Sequence, residues 1–287
     1  LVVEAYEMYQ IMYDSLDVSS PKDFSPMPAL ASEQSVSDDG KTWTYTIRPG
    51  VLWSDGQPLT AKDVAYTFNR VLKGSYEKTN WGGYLTNVTS VTAPDDGTVV
   101  ITTKVPSPGM RNIPIPILPE HVWSKISAKD VKTYKNEENV VGSGPFVLAE
   151  RKVGQFIRFT ANDHYWAGRP KIDELVFRVF RNDDSLAQAL KKGEVDFADN
   201  LDASVWDSLK NTPGITTYAG AYGGFDELAF NYGAALEDGT PIGDGHPALK
   251  DKVVRQAINY AIDRDTLVTR ILGGKGSPGR SEERRVG

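Results

Sequence analysis

The stretch TWTYTIRPGVLWSDGQPLTAKDVAYTFNRVL, residues 42–72, limits the possible folds more than any other part of the chain. It opens on TWTYTI, where Trp43, Tyr45 and Ile47 alternate with threonines. That is the period of a strand with one buried face. It ends on LTAKDVAYTFNRVL, where Val64, Phe68 and Val71, with Ala61 and Leu72, share one helical face. Between them Asp55-Gly56 is a turn dipeptide, and Pro58 stiffens the approach to the helix. Thr60 followed three residues later by Asp63 is a variant of the capping box, with Asp63 also favoured at the positive helix end. Trp53 is apolar enough to bury against that helix. Each position in residues 52–68 therefore has a structural reason, and none requires a substrate.

The rest of the chain reads as mixed α and β. VEAYEMYQIMYDSL spaces Tyr6, Tyr9, Met12, Tyr13 and Leu16 as a helix does. VTSVTAPDDGTVVITTKV predicts a hairpin around APDDGT. ILPEHVWSKI predicts a short helix with Pro119 in its first turn. VVGSGPFVLAERKVGQFIRFTAN predicts two strands joined around KVGQ, and IDELVFRVF another. A helix is expected from about Ser185 to Lys192, stopped by Gly193, and Asp202 or Ser204 starts the next. GITTYAG and FDELAFN read as strands. HPALKDKVVRQAINYAIDRDTLVTRIL reads as two helices broken near Asp263, which caps the second. There is no internal repeat and no long linker, so the lobes are expected to be woven together.

Composition excludes several functions. A net charge of −6 does not fit a general nucleic-acid binder, which needs a basic face to neutralise phosphates. No apolar run approaches the ~18 residues of a membrane-spanning helix. With no cysteine, disulfides, thiolate metal sites and a cysteine nucleophile are all absent. Both ends look cut. Leu1 opens inside a helical pattern, with no signal region visible. RSEERRVG, residues 280–287, matches codon by codon the in-frame translation of a common sequencing adapter. This tail is expected to be an artefact, with the natural chain continuing past Gly279.

Catalytic and metal motifs are weak. His121, His164 and His246 are far apart and lack metal-ligand spacing, so no metal and no cofactor are expected. GSGPF lacks the G-x-S-x-G order of a nucleophile elbow. Gly142 and Gly144 are expected instead to permit a tight crossing with φ > 0 around Ser143, with Pro145 fixing entry into the next strand. LGGKGSPG and GAYGGFDE fit no phosphate-binding loop. Acids are plentiful, but no spacing singles out a glycosidase pair.

Taken in order, these segments resemble the family 5 extracellular solute-binding proteins, the oligopeptide-, dipeptide- and nickel-type receptors of ABC importers. The resemblance starts at residues 42–72 and continues through SVTAPDDGTVVITT, IPILPEHVW, VVGSGPFVL, FTANDHYWAGRPKIDELVFRVF, ALKKGEVDFA, ELAFN and ALKDKVVRQAINYAIDRDTLV. It covers about residues 6–279. It implies a mixed α/β, periplasmic-binding-protein-like two-lobed fold of type II with an extra inserted sub-domain. Residues 1–28 would begin the main sub-domain of the first lobe and 29–140 form the inserted one. Residues 141–229 would return to the first, and 230–279 open a second lobe that is largely missing.

The resemblance also implies a function. Members hold a peptide as an added strand between lobes that close on it, then deliver it to permease subunits. The chain is expected to be a monomer and no enzyme. It is expected to be extracytoplasmic, either periplasmic or a cell-surface lipoprotein. Two stretches are candidate ligand contacts. One is TNWGGYL, read as a Gly-rich loop with Asn80, Trp81 and Tyr84. The other is AYGGFDELAFN, with Tyr222, Gly223, Gly224, Phe225 and Asp226. Ordinary loop packing is the competing reading for both. Gly142, Ser143, Gly144, Thr60, Asp63 and Trp53 are expected to be structural, and Trp43, Trp123 and Trp166 core. The alternatives are a receptor for an oligosaccharide or a nickel chelate, or a hydrolase using cleft acids.

Overall fold

A computed structural model describes residues 3–219, 227–236 and 238–279 of the chain. Two compact units divide it, Leu1–Val179 and Phe180–Gly287. The first contains α1 (Val3–Met12), the strands β1 (Asp17–Ser19) and β2 (Pro26–Pro28), and then β3 (Ala31–Val36) and β4 (Thr42–Ile47). Helices α2 (Ala61–Lys73) and α3 (Ser75–Trp81) follow, then β5 (Val88–Thr92), β6 (Thr98–Thr103) and the single turn α4 (Glu120–Trp123). The unit closes with β7 (Phe146–Lys152), β8 (Phe156–Ala161) and β9 (Glu174–Arg178). One antiparallel sheet has the order β3-β4-β6-β5, another β7-β8-β9, and β1 pairs with β2 alone.

The alternation in TWTYTI becomes the inner face of β4, with Trp43, Tyr45 and Ile47 all buried. β6 answers with Val99 and Ile101, and Trp43 lies opposite Ile101 in the ladder. Against this sheet α2 buries Ala61, Val64, Phe68 and Val71. Phe68 is fully buried, and burying such a ring contributes about 1.5–3 kcal/mol. One apolar core runs from Met12, Tyr13 and Leu16 through the four-stranded sheet to Phe146 and Phe159. It is therefore continuous across the expected boundaries after residues 28 and 140.

The helix predicted through Leu16 ends at Met12. The Tyr13 N–H still reaches Tyr9 O at 2.8 Å, but the Asp14 N–H turns to Ser143 Oγ at 2.9 Å. A distant segment thus takes over the helix end, while Tyr13 and Leu16 stay buried beyond it.

The second unit contains α5 (Asp183–Lys191), α6 (Ala203–Leu209), α7 (Lys252–Ala261) and the single turn α8 (Arg264–Thr266). The Asn182 side chain caps α5 and Asp263 caps α8. Gly193 ends α5 with φ +70°. The strands expected in GITTYAG and FDELAFN do not form among the described residues, where 215–219 and 227–231 carry no ladder. Strand-like composition needs a neighbouring strand to pair with.

Candidate functional site

The densest polar architecture of the first unit surrounds the start of α2 and the glycine crossing. Thr60 caps α2 by accepting from the Lys62 N–H at 3.2 Å, and Asp63 Oδ2 accepts from the Thr60 N–H at 2.9 Å. The other Asp63 oxygen accepts from the Glu120 N–H at 3.0 Å. One buried carboxylate therefore finishes the first turns of both α2 and α4. Thr67, also buried, accepts from the Leu118 N–H at 2.9 Å.

The Asp55-Gly56 turn ahead of α2 has Gly56 at φ +85°. It is bound to the crossing by a reciprocal pair of hydrogen bonds. Ser54 N–H donates to Gly142 O at 2.9 Å, and Gly142 N–H donates to Ser54 Oγ at 3.1 Å. Behind the turn Trp53 is fully buried and meets His121 edge-on at 6.4 Å, while His121 Nε2 lies 2.8 Å from Asp55 Oδ2. An open cavity of about 390 Å³ adjoins the turn, with Ser54, Asp55, Asn139, Asn162, Asp163 and His164 in its wall.

The expected reason for the glycines needs correcting. Neither Gly142 nor Gly144 has positive φ. What they permit is contact between two backbones. A Cβ on Gly142 would lie 2.2 Å from Met12 O, and one on Gly144 2.3 Å from Ile11 O. The Gly144 N–H donates to Met12 O at 2.8 Å. Ser143 is fully buried and its oxygen accepts from the Asp14 N–H. It has neither the exposure nor the freedom of a nucleophile.

Sequence reasoning missed Asp14. Its N–H donates to Ser143 Oγ, its carbonyl accepts from the Ile117 N–H at 2.9 Å, and its Oδ2 accepts from Trp166 Nε1 at 3.2 Å. Burial pushes its carboxyl up to about 7, against the lowering effect of the Trp166 and Ser143 hydrogen bonds. Its charge in turn adds to the burial that raises the Tyr165 phenol to about 12. The Arg48 guanidinium stands 4.6 Å over the Trp166 ring. In the sequence, MYDSL shows only an acid near a helix end. The neighbours that define its role are far away along the chain.

Of the residues expected to touch ligand, Asn80 and Trp81 lie in the last turn of α3 and Tyr84 in a following 3-10 turn, Gly82–Leu85. The segment is helical, not a loop, because backbone bonds such as Gly82 N–H to Lys78 O carry the helix to its end. The Asn80 amide donates to Tyr76 O at 3.1 Å. Trp81 packs against the apolar core. Tyr84 is 45% exposed, with its ring 6.3 Å from that of Trp81. Tyr222, Gly223, Gly224, Phe225 and Asp226 lie outside the described residues, as does the tail 280–287. Among the described residues no cluster of three or more His, Asp or Glu side chains could hold a metal ion, and no helix is long and apolar enough to cross a membrane.

Bacterial extracellular solute-binding proteins, family 5 (middle region), match residues 25–281 of the chain. The chain belongs to this family. Family 5 relatives include Protein XP55 of Streptomyces lividans, 36% identical over 93% of this chain and 46% of its own length. The oligopeptide-binding protein AppA of Bacillus subtilis is 29% identical, over 86% of this chain and 44% of its own. The nickel-binding periplasmic protein of Escherichia coli is 27% identical, over 92% and 48%. The family 5 chain thus spans about half the length of these relatives. Its structure matches that of Bacillus subtilis AppA in complex with a nonapeptide, with a TM-score of 0.77 and 26% identity over 96% of this chain and 53% of the other. The fold is that of the type II periplasmic binding proteins.

Proposed function

We propose that this chain is part of an extracytoplasmic receptor of an ABC importer that captures short peptides between two lobes and passes them to the permease without catalysis. One observation carries the reading. The family match spans residues 25–281, and the same stretch superimposes on a relative whose structure holds a nonapeptide. The receptor acts as a monomer, either periplasmic or anchored at the surface as a lipoprotein. Residues 1–28 and 141–229 serve as the main sub-domain of the first lobe, 29–140 as the inserted one, and 230–279 as the start of the second lobe. Asn80, Trp81 and Tyr84, with Tyr222, Gly223, Gly224, Phe225 and Asp226, contact ligand. The exposed Tyr84 ring, tilted beside Trp81, offers an apolar face with a polar tip, suited to an extended peptide.

Thermal unfolding of the protein from the full gene, with and without a broad peptide pool, tests the ligand class, because a ligand that binds only the folded state raises the midpoint. No rise with any peptide overturns the peptide assignment. A nickel–histidine arm in the same assay tests the second reading, which rests on the relative named for nickel. Peptide returned intact after long incubation supports a receptor, and cleaved peptide overturns it.

A further inference from the structure

We propose that Asp14, Ser143 and Trp166 form a proton-responsive tie where α1 packs on the glycine crossing, in which the buried Asp14 carboxyl takes up a proton as external pH falls and so sheds the cost of holding a charge out of water. The geometry comes first. Through its own amide, carbonyl and carboxyl groups Asp14 is bound at once to the crossing, to the segment of Ile117 and to the loop of Trp166. It is 7% exposed. The crossing presses so close on Ile11 and Met12 that even a methyl group at Gly142 or Gly144 would overlap their carbonyl oxygens.

Its hydrogen-bond donors are neutral, the Trp166 indole and the Ser143 hydroxyl. Burial favours the protonated form, and these two donors, which stabilise the charge, offset it only in part. The Asp14 carboxyl accordingly sits at about 7, where modest changes in external pH alter its charge. The ionisable groups around the tie are few. Tyr13 precedes Asp14, is itself raised to about 12 by burial and bonds Asn136. Tyr165 lies beside Trp166, and Arg48 is spent on the Trp166 ring and on Ala29 O at 2.6 Å. His164 stands two residues before Trp166, with its N–H bound to Asn162 Oδ1. Asp17, three residues on, is raised to about 6 by burial, and no hydrogen bond joins it to Trp166.

The Trp166 indole N–H gives a direct readout, since it donates to the titrating oxygen. In heteronuclear NMR of the protein, with the resonance assigned by Trp166→Phe, we expect a single titration with its midpoint near pH 7. Asp14→Asn should abolish it, while Asp17→Asn and His164→Gln should leave the midpoint unmoved. In denaturant, the wild-type midpoint should fall as pH rises from about 4 to 7 and level off above, because the folded state holds the proton longer than the unfolded chain. Asp14→Asn should remove that part of the slope. An indole signal flat between pH 5 and 8.5 in the unmodified protein overturns the proposal, even if Asp14→Asn fails to fold. So does a titration that survives Asp14→Asn or disappears with His164→Gln.

Discussion

Helices α2 and α7 carry the same kind of pattern and meet different ends. In α2, Ala61, Val64, Phe68 and Val71 recur at helical spacing and are buried against the four-stranded sheet. In α7, Val254, Ala257, Ile258 and Ala261 recur in the same way, and the Asp251 side chain caps the helix by accepting from the Val253 N–H at 2.8 Å. Yet none of the residues of α7 is buried, and Val253 is 67% exposed. Periodicity in a sequence reports a helix's need for an apolar partner. It does not report that the partner is present in the same stretch of chain. Most helical stability in proteins comes from packing of that face and not from propensity, so the two helices should respond very differently to the same changes.

The largest contrast is expected from truncating the two faces. Phe68→Ala should lower the unfolding free energy by about 3–5 kcal/mol, and Ile258→Ala should stay within about 0.5 kcal/mol, both read from chemical denaturation. A large cost at Ile258 would show that α7 has found a partner after all. Next comes the crossing that holds α1 to the core around α2. Gly144→Ala should cost about 1–3 kcal/mol, as overpacking does, because its Cβ would stand 2.3 Å from Ile11 O. A neutral result would mean that α1 can slide away from the crossing.

Asp63→Ala should cost about 1–3 kcal/mol, since two part-buried N–H groups lose their acceptor. That loss should exceed the roughly 1 kcal/mol of Thr60→Ala, which removes only the local cap. Thr60→Ala should also leave peptide affinity unchanged in calorimetric titration. A marked affinity loss in the folded variant would place the turn ahead of α2 in the binding site. The smallest effect is expected from Asp251→Ala. Amide exchange should show the first turn of α7 fraying, with no change in the cooperative unfolding midpoint.

What the sequence made legible was mostly local. The alternation of Trp43, Tyr45 and Ile47, the Thr60–Asp63 cap, the hairpin turned at Asp95 and the Asp263 cap are all settled by residues a few positions apart. The family, too, could be read from the order of such local segments. The long-range ties were not legible. The second bond of Asp63 spans 57 positions, the Ser54–Gly142 pair 88 and the Asp14–Trp166 contact 152. No propensity or period encodes them. The glycines at 142 and 144 show the same limit. Their presence signalled a special backbone, but φ > 0 and close approach look alike in a sequence, and only the structure distinguished them. The candidate ligand stretch at 80–84 reads as loop because Gly82 and Gly83 weaken a helical pattern that backbone bonds such as Gly82 N–H to Lys78 O carry to its end.

The way α1 ends has a consequence for the order of assembly. The amide of Asp14 waits for the hydroxyl of Ser143, 129 residues later, and its carboxyl for the Trp166 indole, 152 residues later. During synthesis, which runs from the N-terminal side, α1 therefore cannot be locked until nearly all of the first unit has been made. Contacts of such separation slow folding, because the loop must close before the contact is gained. The nascent chain thus stays open until that late segment arrives.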